Sequence, residues 1–320
     1  MSRRVKSGFR AWSLLMLLGL ALTLIGCRAK ETAPPPIPHV PATATASNIP
    51  TPTTAPGEPL AARVNGQPIY LKDYEKQVSE WAAAFVAQNP NLNAEEQQAM
   101  LAQGKQQVLN VMIEQLLIEQ AAAREGVTVS EQEIDGVIAR DIAENGGQAQ
   151  FEAWLKTNNW TVDEYKIRQR SMMIASQMFE RVTRNVPTKA EQVHARHILV
   201  ASEQQARDLL TLLQSGADFA ALAAQHSLDP STKDSGGDLG FFPRGTLVVP
   251  EVEDAAFALD VAQISDVTHS AMGYHIIQVL ERVQDMALTE ESWQALKETT
   301  FRKWLSELWA AATVEVLISI

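Results

Sequence analysis

Two stretches of alternating and continuous apolar residues, 193–200 and 274–280, carry histidines in strand-like pattern. In a pleated strand, residues two apart share a face. His197 therefore shares a face with Ala195 and Leu199, His194 lies on the other, and His275 goes with Ile277 and Val279. Opposite faces argue against a metal held jointly by His194 and His197. What remains open to these imidazoles is hydrogen bonding or proton transfer, or a satisfied place in a core. Asp229 stands seven residues before Gly236 and directly before Pro230; at such a place an aspartate is a turn residue as readily as a reactive carboxylate. The single cysteine, Cys27, excludes an intramolecular disulfide framework and multi-cysteine zinc or iron–sulfur patterns. No metal and no cofactor is expected.

The elements around these residues alternate in type. A strand over 193–200 leads to a capping box at Ser202-Glu203-Gln204-Gln205, which opens a helix with Ala206, Leu209, Leu210 and Leu213 inward. A short helix through Phe219, Leu222 and Ala223, a glycine bend at 236–240, a helix near 251–258 and a final strand at 274–280 follow. Upstream, an Asn65-Gly66 turn joins two short strands. Leu109, Met112, Ile113, Leu116 and Leu117 mark one buried stripe of a helix over 105–124. Ser130-Glu131-Gln132-Glu133 is a second capping box, with Val129 placed to staple onto Ile134. Helical periodicity resumes from Phe151 to about Arg184. The chain ends with a helix over 289–312 and a strand over 313–318. A lone terminal strand needs a partner, and the expectation is a return to the strands near 61–70.

Composition bounds the rest. The chain has 320 residues, 46% of them hydrophobic, and a formal net charge of −11. That balance speaks against a nucleic-acid partner. Residues 1–26 join a basic head (Arg3, Arg4, Lys6, Arg10) to an apolar core ending at Leu24-Ile25-Gly26-Cys27, which reads as a secretory signal. Its end resembles the bacterial lipobox, which implies acylation of Cys27 and anchoring to the lipid bilayer on the extracytoplasmic side of the cell membrane. Residues 27–60 hold nine of the 15 prolines and read as a disordered, stiffened linker.

Residues 64–78, "VNGQPIYLKDYEKQV", and 108–135, "VLNVMIEQLLIEQAAAREGVTVSEQEID", resemble the amino-terminal region of the SurA/PrsA-type chaperones. Residues 193–283 resemble the parvulin (PpiC-like) family of peptidyl-prolyl isomerases. The carrying motifs are "HARHILV" at 194–200, "LAAQHSLDPSTKDSGGDLGFFPRG" at 222–245, "EVEDAAFAL" at 251–259 and "GYHIIQVLERV" at 273–283. The resemblance implies an α+β chain: a mostly helical SurA-N-like chaperone domain over 61–187, an inserted parvulin domain over 190–284 with a small antiparallel sheet packed by helices, and a segment over 288–320 returning to the first domain.

It further implies an extracytoplasmic isomerase and foldase acting on unfolded or partly folded secreted polypeptides that contain proline. His197 and His275 would face each other at the site floor, with Asp229 near the substrate carbonyl. Leu239, Phe242, Val248, Val252, Phe257 and Met272 would shape the apolar niche. Val248 stands where the family usually has Met and Val252 where it has Phe, with one extra residue between Gly245 and Val248. Those departures leave open a holdase whose parvulin domain is weak or inactive and only binds peptide. Ala201-Ser202-Glu203-Gln204 offers no positive charge after the first strand, so phosphoserine specificity is not expected.

Overall fold

The computed structural model describes residues 57–319. The signal-like segment, most of the linker and the expected acylation at Cys27 lie outside the described residues. The described chain divides into two compact units, 57–182 with 303–319, and 183–302.

In the first unit, β1 (Leu60–Val64) and β2 (Gln67–Tyr70) form a hairpin. Its turn is Asn65-Gly66, both at positive φ, 52° and 82°, which is what a two-residue hairpin turn requires. Leu60, assigned to the linker from composition, is the first residue of β1, because the strand's pairing extends to Tyr70 opposite it. Helices α1 (Leu71–Gln88), α2 (Ala94–Arg124), α3 (Glu131–Glu144), α4 (Gln148–Thr157) and α5 (Val162–Thr183) follow. Reciprocal side-chain and backbone hydrogen bonds cap α2 through Asn93 and Glu96, and α3 through Ser130 and Glu133.

The unbroken helical run expected over 151–184 is two helices. Asn159, at φ 55°, ends the first, and Thr161 with Glu164 forms a new capping box for the second. A start signal of that kind satisfies amide groups that a continuous helix would have paired internally. Two apolar clusters hold the unit. One joins Ala62, Val64 and Ile69 of the hairpin to Leu109, Ile113 and Leu117 of α2; the other joins Ile134, Ile138, Phe151, Leu155 and Tyr165. The terminal strand β7 (Val314–Val316) pairs antiparallel with β1, giving the order β2-β1-β7.

The second unit is an antiparallel sheet of order β4-β3-β6-β5, from β3 (Lys189–Val200), β4 (Asp238–Pro243), β5 (Thr268–Ser270) and β6 (Gly273–Ala287). The central pair is longer than the 193–200 and 274–280 pattern, reaching Lys189 opposite Ala287. One face carries Ile198, Val200 and Ile276, all fully buried against α6 (Glu203–Gln214) and α7 (Phe219–His226). Each such side chain contributes about 1.5–3 kcal/mol. The opposite face carries Val193, Ala195, Ile277 and Val279 beneath α8 (Pro250–Ala258). Helix α9 (Glu290–Ala311) then leads to β7.

Candidate active site

His197 of β3 and His275 of β6 share that second face. His197 pairs across the ladder with Ile277, and Leu199 with His275, so the two histidines are diagonal neighbours within reach of each other's rings. Their Nδ1 atoms lie 3.3 Å apart and the rings are nearly parallel, at 17°. Only glycine fits at Gly237, where a Cβ would fall 2.1 Å from the His197 carbonyl oxygen; the Gly237 carbonyl accepts from the His197 N–H at 2.8 Å.

Asp229 reaches the pair from the loop after α7. The Leu228 N–H donates to the Leu199 carbonyl at 2.7 Å, and buried Ser227 accepts from the N–H groups of Leu199 and Asp229. Asp229 is thereby stitched to the strand that carries His197. Its Oδ1 accepts from the Ser231 N–H at 3.0 Å and the Ser231 hydroxyl at 2.6 Å. Its Oδ2 lies 2.8 Å from His197 Nε2 and accepts from Thr232 Oγ1 at 2.6 Å. At the other end of the row, Ser270 Oγ lies 2.7 Å from His275 Nε2 and accepts from the Met272 N–H at 3.1 Å.

Charge states follow from these surroundings. Burial works against the Asp229 anion, but hydrogen bonds from Ser231, Thr232 and His197 outweigh it and hold the carboxyl well below the usual range. Burial, reinforced by the neighbouring His197, pushes His275 down to about 4. An ionised Asp229 can only accept, so His197 Nε2 carries a proton and donates. His275, neutral, has one donor and one acceptor nitrogen, and these face His197 Nδ1 and Ser270 Oγ. The row links Ser270, His275, His197 and Asp229, each buried polar group having a partner.

Beside it lies the apolar cluster of Ala195, Phe242, Val252, Ala256, Phe257 and Ile277, with Leu239 and Leu247 packed against it. Phe242 and Phe257 meet edge to face, centroids 6.0 Å apart. Phe242 and Val252, only 4% and 2% exposed, back the wall rather than present surface. Val248, expected in the niche, is 93% exposed, and Leu247 and Val249 on either side of it pack against the cluster. Met272 is 55% exposed, beside the row rather than inside the cluster. His194 turns away to Asp238, Nε2 to Oδ1 2.7 Å. Among the described residues no group of three or more His, Cys, Asp or Glu is placed to hold a metal ion.

The sequence reading did not single out Thr232, Ser270 or Leu247. Thr232 had a detectable signal, a hydroxyl three residues after the aspartate in a turn; Ser270 lies five residues before His275 across a tight reversal.

Comparison with known proteins agrees with both halves. Residues 43–179 match the SurA-like N-terminal domain, and residues 178–283 match the PPIC-type PPIASE domain. The chain is 32% identical over 231 residues to the foldase protein PrsA of Caldanaerobacter subterraneus subsp. tengcongensis, covering 68% of this chain and 72% of that one. It is 31% identical over 232 residues to PrsA of Halalkalibacterium halodurans, covering 66% and 69%. A crystal structure of the peptidylprolyl isomerase PrsA from Bacillus anthracis aligns at 28% identity and TM-score 0.48, over 63% of this chain and 94% of that one.

Proposed function

Because the chain belongs to the PrsA foldase family, with a PPIC-type peptidyl-prolyl isomerase domain, we propose that the row from Ser270 to Asp229 is the catalytic floor of that isomerase. The protein is a peptidyl-prolyl cis–trans isomerase and foldase. Rotation about a peptide bond crosses a barrier of about 18–20 kcal/mol, and uncatalysed X–Pro exchange takes roughly tens to hundreds of seconds. No covalent step is needed. The catalyst has to hold the twisted amide away from water and meet its altered charge with fixed dipoles.

In this reading Leu239 and Leu247 receive the proline ring while Phe242, Val252 and Phe257 support them. His197, His275 and Asp229 form the polar floor, and their bonded row keeps its dipoles aligned without reorganisation during the rotation. The observation that carries the assignment is that row: two imidazoles in contact, one of them held by an ionised carboxylate, against an apolar cluster on the same sheet face. The packing of Leu247 against the apolar cluster also supports an active site over an inactive binding module. Proline-limited refolding of a model protein tests the proposal. Catalytic amounts of the full chain should accelerate the slow phase and His275→Ala should not; equal acceleration by both would remove the row from catalysis.

We also place the protein at the extracytoplasmic face of the membrane, held by acylated Cys27 and acting on secreted chains. The lipobox-like end of the leader supports this. Labelled fatty acid should enter the wild-type chain in a bacterial host and not Cys27→Ser; label in both would place the anchor elsewhere.

A further inference from the structure

Glu253, in the first turn of α8, is 8% exposed. A buried carboxylate is costly unless its lone pairs are met. Here Oε1 accepts from the Gly245 N–H at 2.7 Å, and Oε2 from the N–H groups of Thr246 and Leu247, each at 3.1 Å. Three successive amides converge on one anion, an arrangement that backbone readily forms around a charge. Gly245 supplies the positive φ, 88°, that turns its amide inward.

The loop's carbonyls are held separately. Thr246 Oγ1 donates to Pro243 O and Thr299 Oγ1 to Gly245 O, each at 2.9 Å. The amide side of the loop therefore depends on Glu253. The last residue in its grip is Leu247, which packs inward, while Val248, one residue beyond, is exposed.

We propose that Glu253 is a positioning residue for prolyl isomerisation: its carboxylate fixes the 245–247 loop so that Leu247 stands as a wall of the proline niche. The proposal rests on the isomerase reading above and adds a residue that never touches substrate. Charge-assisted hydrogen bonds of this kind are the strong ones, so their loss should be read in proline binding as well as in folding.

A double-mutant cycle on the full chain tests it. In a proline-peptide exchange assay, Glu253→Gln should lower kcat/KM about tenfold, chiefly through KM. In a Leu247→Ala background the same change should cost less than about twofold, because the group acted upon is gone. Equal losses in both backgrounds, or none in the parent, would overturn the proposal, since a purely structural role is indifferent to Leu247. Should Glu253→Gln not fold, Glu253→Asp, which keeps both acceptor oxygens, enters the cycle under the same criteria. An inactive wild-type chain would instead defeat the isomerase reading and this inference with it.

Discussion

The two faces of the β3–β6 pair are made by neighbouring residues of the same strands and have opposite chemistry. On one, Ile198, Val200 and Ile276 close against α6 and α7 in an apolar cluster, with the Arg196–Gln278 pair at its edge. On the other, one residue along, His197 and His275 begin a row of donors and acceptors that ends at Asp229. The first face needs only volume. The second needs each group to have its partner, since an unmet buried polar atom costs about 1–3 kcal/mol. Period-two alternation lets one ribbon serve both ends: the apolar face supplies rigidity, and that rigidity holds imidazoles in place on the other.

Substitutions can break or sharpen that contrast. The largest change is expected from Ile276→Ala, which should lower stability by about 2–5 kcal/mol and leave kcat/KM of the folded chain near wild type; denaturant unfolding beside an exchange assay checks both. Loss of activity in the still-folded variant would mean that the faces are not separable. Asp229→Ala should act the other way. It strips His197 of its acceptor and should reduce kcat/KM on the order of 30-fold, with a smaller fall in melting temperature than Ile276→Ala produces. Ser270→Ala removes the hydroxyl partner at the far end and should cost roughly three- to fivefold; an effect as large as that of Asp229→Ala would mean the orientation of the row is set at Ser270.

The mildest perturbation is pH. His275 is held at about 4 against an ordinary 6.5, so below 6.5 the unfolded chain takes up a proton that the folded chain refuses. Its contribution to stability is complete above about 6.5 and declines as pH falls towards 4. Asp229, also depressed, adds a further loss below its ordinary 3.8. Replacing His275 with Gln should flatten the decline between 6.5 and 4 in unfolding curves. An unchanged slope would show that the titrating group is another residue.

Much of this molecule was legible before its coordinates. The stripe on α2, the capping box at Ser130 and the placing of His197 with Ala195 and Leu199 on one face are local matters, set by periodicity and by short-range hydrogen bonds. The break between α4 and α5 was equally local, yet apolar spacing on both sides ran across it and hid the Thr161–Glu164 cap. The exposure of Val248 had no such local signature: the 244–249 segment is turn and bend, and only packing against Val252 and Phe257 shows that Leu247 and Val249 face inward. Ser270 left little trace, because a hydroxyl has no periodicity and its importance lies wholly in what it touches.

Residue order alone determined which segments become helix or strand, where their ends are capped and which side chains share a face, because those outcomes depend on atoms a few residues apart. Tertiary structure decided the rest. The ladder register set His197 diagonal to His275 across 78 residues of chain, and the docking of the 227–232 loop on Leu199 brought a carboxylate to the His197 ring. The terminal strand found β1, with Thr313 bonded to Asn65 at a separation of 248 residues. Hydrogen bonds act over about 3 Å, so their partners are known only once the chain has closed upon itself.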